Sequence, residues 1–202
     1  MKLYYSAGAC SLSPHIVLLE LGLPFSMEKV DLKSKKTEKG IDYLTINSKG
    51  AVPALQLDDG QVLTEGPAIV QFLADQKPDS GLAPRAGTFE RYRLMEILNY
   101  ITSEVHKNFT PLFNPATSAD WGKAATEALG KKFDWLSRHL GEKKHLMGDK
   151  FTVADAYLFT VLAWTRHVGI DLGKWPVLAA YSSRIGARPK VHEALKAEGL
   201  VK

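Results

Sequence analysis

Strand signals stop near residue 80 of this 202-residue chain, and everything after that point reads as helix. Before it, the two patterns alternate. Residues 2–5 (Lys-Leu-Tyr-Tyr) read as a strand. Residues 11–21 read as a helix, with Ser11 as a candidate N-cap and Pro14 tolerated in the first turn. Gly22 and Pro24 mark its stop. Residues 25–32 alternate apolar with polar, the period of a half-buried strand, and residues 33–47 suggest a short irregular helix. Two short alternating runs flank Asp59-Gly60, a hairpin signal. Glu65-Gly66-Pro67 then opens a helix running to about Gln76, with Pro67 suited to a first helical position. The predicted order is βαβαββα, a mixed sheet with helices.

A turn-rich linker spans residues 78–84, and beyond it come helical periods only. Helices are predicted over residues 88–109, 119–140, 152–168, 175–187 and 190–197. The first carries Phe89, Tyr92, Leu98, Ile101 and Val105 on inward faces. The second carries Trp121, Leu129, Phe133 and Leu136. The expected organisation is an α/β domain over residues 1–80 and an all-α domain over residues 87–202.

Composition narrows the function. A net charge of +4, with 22 acidic residues dispersed through the chain, gives no basic run interleaved with aromatics, so nucleic acid is not an expected partner. No apolar stretch is long enough for a bilayer span and no leader pattern is visible, so a cytoplasmic protein without a membrane partner is expected. The single cysteine excludes an intramolecular disulfide or a Cys-rich metal site. The six histidines show no metal-binding spacing, so no metal is expected.

That cysteine, Cys10, lies between the first strand and the first helix, where a helix N-terminus favours the thiolate and a lowered pKa is expected. The competing reading is a small buried hydrophobe. Val52-Pro53 starts a strand. It is either an ordinary strand-initiating proline or a cis turn leaving the Val52 backbone to pair with a peptide-like ligand. Glu65 and Gly66 stand at a helix start, where free N–H groups bind carboxylates and Glu65 accepts an amine, or merely complements the dipole. Asn99, Ser103 and His106 form one stripe at i, i+4 and i+7, a packed polar network or a ligand site. Thr152 and Asp155 have capping-box spacing, a structural device.

Together these segments resemble the beta class of bacterial glutathione S-transferases over the whole chain. The resemblance rests on Gly8-Ala9-Cys10-Ser11-Leu12, the run from Asn47 to Leu55, Leu63-Thr64-Glu65-Gly66, Glu104-Val105-His106-Lys107 and the run from Phe151 to Tyr157. It implies a thioredoxin-like N-terminal domain, an all-helical C-terminal domain carrying the electrophile pocket, and a homodimer. It implies glutathione as cosubstrate with no tightly bound cofactor, lying across Cys10, Lys35, Val52, Pro53, Glu65 and Gly66. Asn99, Ser103, Glu104, Val105 and His106 are further implied contacts, with Glu104 reaching from the partner subunit.

The implied activity is conjugation of glutathione to hydrophobic electrophiles, with Cys10 and His106 catalytic and thiol–disulfide or peroxide side activities through Cys10. Phe109, Phe113, Tyr157, Trp164 and His167 are the expected electrophile pocket. Two departures from the wider superfamily stand out: Cys10 rather than Tyr4 or Tyr5 takes the working position, and Gly66 replaces a frequent serine. The alternative is a non-catalytic module binding glutathione or hydrophobic ligands. A dithiol reductase lacks its second cysteine.

Overall fold

A computed structural model describes all 202 residues. It divides into two units, Met1–Ala83 with Ala187–Lys202, and Pro84–Gly186. In the first unit the elements are β1 (Lys2–Tyr5), α1 (Leu12–Leu21), β2 (Ser26–Asp31), β3 (Lys36–Thr37), β4 (Ala54–Gln56), β5 (Val62–Thr64) and α2 (Gly66–Asp75). The sheet order is β3-β2-β1-β4-β5, with β1 and β2 parallel and the other pairs antiparallel. A parallel pair needs a crossover, and α1 supplies it.

Helix α1 is apolar on all sides, and Leu12 through Leu18 are buried without a break. Such a helix needs cover all round. It packs against α2 and against the last helix of the chain, which returns for that purpose. Residues 187–202, grouped with the helical half on sequence alone, therefore pack with the first unit. Three polar contacts fix this return. Arg188 grips Glu20 with both arms of its guanidinium, at 2.8 and 3.0 Å. The buried His15 ring meets Glu198 Oε1 at 2.8 Å. The other Glu198 oxygen accepts the Gly8 N–H at 2.9 Å. Gly8 has φ +72°, and an added Cβ would meet the Leu200 side chain at 3.3 Å. The positive φ favours glycine there, and a side chain would also press on Leu200.

Two local expectations change. Residues 33–47 form no α-helix. They hold the two-residue strand β3 and a single 3₁₀ turn, Tyr43–Thr45. Asp31 Oδ1 accepts from the Lys33 and Ser34 N–H groups, and Lys35 sits at φ +57°, so the chain turns before a helix can propagate. Ser11 is not a side-chain cap. Its hydroxyl bonds the Ser6 main chain, tightening the loop that carries Cys10.

The second unit holds α3 (Phe89–Tyr100), α4 (Lys107–Phe113), α5 (Ala119–Leu140), α6 (Val153–Ala163) and α7 (Pro176–Gly186). The long helix predicted from residue 88 is broken by a π-helical turn over Ile101–His106. Phe89 and Tyr92, expected inward, are 67% and 59% exposed, and Trp121 is 58% exposed. Leu98, Ile101, Val105, Leu129, Phe133 and Leu136 are buried as expected. The chain's last helix, α8, spans Pro189–Ala197.

Helix α6 is buried over nearly its whole length. Asp155 at its start accepts from the Thr152 N–H (2.8 Å) and hydroxyl (3.0 Å), the Leu146 N–H (2.8 Å) and the Tyr181 hydroxyl (2.9 Å). Burial pushes its carboxyl above the usual aspartate value, while its donors pull the other way. Asp155→Ala removes the acceptor of three donors in the core and leaves the Tyr181 hydroxyl only the longer contact to the main-chain oxygen of residue 155. It is expected to cost about 3 kcal/mol, read as a lower urea midpoint. An unchanged midpoint would show that the network contributes nothing to stability.

Candidate functional site

The predicted site residues fall into both units. In the first, residues 50–52 form a turn whose successive carbonyls are each held by side chains from elsewhere in that unit. Lys35 Nζ donates to Gly50 O at 2.7 Å. The Tyr43 hydroxyl and Asn47 Nδ2 donate to Ala51 O at 2.9 and 2.7 Å. The Cys10 thiol donates to Val52 O at 3.0 Å. The Val52–Pro53 peptide is cis. No spacing in the sequence singles out Tyr43 and Asn47 as site residues. Both lie in the segment whose pattern suggests a helix, which hides their convergence on one oxygen.

Cys10 contradicts the expectation of a lowered pKa. Burial pushes its thiol up to about 12, and the nearby Glu65 carboxylate adds to the rise; main-chain N–H groups of Cys10 and Ser11 oppose it. Magnitudes decide the outcome. A helix dipole contributes about 1 kcal/mol, less than one pKa unit. Desolvation of a buried group shifts a pKa by up to about 3–5 units. The Cys10 hydrogen bond to Val52 O requires the proton and so favours the neutral thiol.

Glu65 sits at φ +69°, a conformation rare for a non-glycine residue. Its main-chain carbonyl accepts from the Ala68 and Ile69 N–H groups at 3.0 Å each. Its side chain does not cap α2 and instead points to an ion pair with Lys49. Gly66, the first residue of α2, is buried, yet an added Cβ would meet nothing within 4 Å. The absent serine at that position therefore leaves room beside the helix start.

In the second unit, His106 Nδ1 lies 2.7 Å from the buried Tyr157 hydroxyl. Its ring packs edge-on to Trp164 with centroids 4.7 Å apart. Phe109, Phe113 and Trp164 contact one another at 5.6 to 6.2 Å. The expected aromatic residues are thus together, apart from His167, which is exposed and absent from these ring contacts. Phe109, Tyr157 and Trp164 are buried, while Phe113 is 49% exposed.

The polar stripe is not on an apolar face. Asn99 and Ser103 are exposed and only His106 turns partly inward. The π turn changes the phase, so i, i+4, i+7 spacing no longer defines one stripe. Ser103 Oγ donates to Asn99 O at 3.0 Å. Glu104 pairs with Lys132 at 2.6 Å, which holds its carboxyl below the usual glutamate range. Val105 is wholly buried in the helical core, leaving only its main chain for a ligand.

The thiol's state can be measured directly. Alkylation of Cys10 by iodoacetamide in the ligand-free protein is expected to rise about tenfold per pH unit from pH 7 to 10 without levelling. A plateau near neutral pH would show a thiolate and refute the protonated state.

Two family models match the chain: the glutathione S-transferase N-terminal domain over residues 7–76 and the glutathione S-transferase C-terminal domain over residues 100–189. The chain is 48% identical to glutathione S-transferase GstA of Escherichia coli O157:H7, covering 99% of this chain and all of that one. A beta-class glutathione S-transferase structure from Sphingomonas chungbukensis superposes with a TM-score of 0.96 at 54% identity, covering both chains completely. A sphingomonad glutathione S-transferase complexed with glutathione gives 0.96 at 51% identity, again over both whole chains. With its mixed five-stranded sheet, its helical second unit and these matches, the chain belongs to the glutathione S-transferase family, among the beta-class members.

Proposed function

We propose that the protein conjugates glutathione to hydrophobic electrophiles, with Cys10 acting on the glutathione sulfur as a hydrogen-bond donor. What carries this reading is the protonated Cys10 thiol seated on the Val52 carbonyl, in a chain nearly half identical to a glutathione S-transferase over its full length. The named relatives favour a catalyst over a non-catalytic binding module.

In this reading the tripeptide's central N–H takes the Val52 carbonyl, as an added strand would. The Cys10 S–H, released from that carbonyl, donates to the glutathione sulfur. A donor aimed at the sulfur stabilises its thiolate and lowers its pKa. The glutathione thiol loses its proton to solvent, and the resulting thiolate forms a bond to the electrophilic carbon as the leaving group departs with its electron pair. The γ-glutamyl end lies at Glu65 and Gly66, and Lys35 exchanges Gly50 O for a ligand carboxylate.

In the helical unit, His106 is the proposed donor to developing negative charge. Tyr157 donating to Nδ1 would leave the proton on Nε2, fixing the tautomer. The proposed electrophile contacts are Phe113 and the edge of Trp164. No helix is long and apolar enough to cross a membrane. A cytoplasmic homodimer is part of the same proposal.

Cys10→Ala tests the role. Conjugation of a chloronitrobenzene-type substrate is expected to fall about tenfold to a hundredfold, from loss of one hydrogen bond to a charged sulfur, and the pKa of bound glutathione to rise. Disulfide reductase activity through Cys10, which needs the disfavoured thiolate, is expected to be low in the unmodified protein and to vanish in the variant, since Cys10 is the only protein thiol. Conjugation and reduction both unchanged would remove Cys10 from catalysis.

A further inference from the structure

At the start of α2 a cation already occupies the acidic group. Lys49 Nζ contacts Glu65 Oε1 and donates to the Thr64 hydroxyl at 2.7 Å. The two charged side chains are both about half exposed or more, at 51% and 65%. Beside them the first turn of α2 has no side-chain cap, and there is open space next to Gly66. An anion, a cation and an uncapped helix start therefore lie next to one another in the order Lys49, Glu65, Gly66.

We propose that Lys49 is a specificity-determining residue that selects a zwitterionic amino-acid end through an exchange of ion pairs, a proposal that rests on the glutathione reading above. An arriving ammonium takes Glu65 from Lys49. The neighbouring α-carboxylate takes the freed Lys49 ammonium together with the main-chain N–H at Gly66. One ion pair is replaced by two, and no charge is left without a partner. An amine that lacks the α-carboxylate must also displace Lys49, but offers it no counter-ion and leaves it only the Thr64 hydroxyl and solvent. Like any discrimination built on an unpaired group, this rejects the wrong ligand as much as it attracts the right one. Helix N-termini bind carboxylates in general. Lys49 makes this one selective for a carboxylate that brings an ammonium with it.

Calorimetric titration of the full-length protein with glutathione, and with its decarboxylated analogue 4-aminobutanoyl-cysteinylglycine, tests the proposal. The unmodified protein is expected to prefer glutathione. In Lys49→Met, glutathione binding weakens about fivefold, the upper range for an exposed ion pair, while the analogue binds as well as before or better. The preference therefore narrows. Lys49→Arg restores it. Equal weakening for both ligands, or unchanged or tighter glutathione binding in Lys49→Met, would overturn the proposal while leaving the glutathione reading intact. Failure of the unmodified protein to bind either ligand would overturn both.

Discussion

Burial of α1 on every side is the constraint that shapes most of the first unit. Ile16, Val17 and Leu18 are fully buried, and each contributes roughly 1.5–3 kcal/mol when taken from water. Helix α2 covers only part of such a rod, and α8 packs against it as well. Bringing α8 back places Glu198 against His15 and the Gly8 N–H. Gly8 lies two residues before Cys10 in the loop, so the hydrophobic demand of α1 also sets the backbone on which the thiol is mounted. Packing and chemistry are here parts of one arrangement.

The same burial decides the electrostatics of the site. A thiol in water near a helix start would be partly ionised at neutral pH. Half-buried and hydrogen-bonded to a carbonyl, the Cys10 thiol is shifted toward its neutral form. This changes the kind of chemistry it is suited for. A neutral thiol is a poor nucleophile but an available donor, and a donor is what another sulfur needs in order to ionise. The strained Glu65 backbone has a comparable logic. A residue at φ +69° persists only where its surroundings over-determine it. Here two N–H groups of α2 on its carbonyl do so, leaving its carboxylate outside the helix.

Much of this is legible in the sequence, because the signals are local. The Asp59-Gly60 hairpin, the Pro67 helix start and the Thr152–Asp155 box depend on neighbours within a few residues. Features that are non-local, or that depend on helical phase, stay hidden. The β3 strand is two residues long and is defined only by its pairing with β2. The apolar period of α3 continues smoothly through residue 106, yet the π turn over Ile101–His106 shifts the helical phase, so Ser103 and His106 part company. Phe89 and Tyr92 read as core by type but lie outside. The raised Cys10 pKa escapes a sequence reading because position along a helix is visible there, while desolvation is a property of residues brought in from afar. Lys49 has no spacing relation to Glu65 and becomes visible only when the β4–β5 hairpin folds the two together.

The return of α8 has a consequence for how the molecule comes into being. The first unit is discontinuous: its sheet is complete by Ala83, but its closing segment begins at Ala187. At ribosomal rates of about 5–20 residues per second, roughly 5 to 20 s separate the two. During that interval one side of α1 has no cover, and the loop bearing Cys10 lacks its tie to Glu198. The helical unit, contiguous in sequence, can finish first. The thiol-bearing loop can therefore make its contact with Glu198 only after residue 198 has been synthesised.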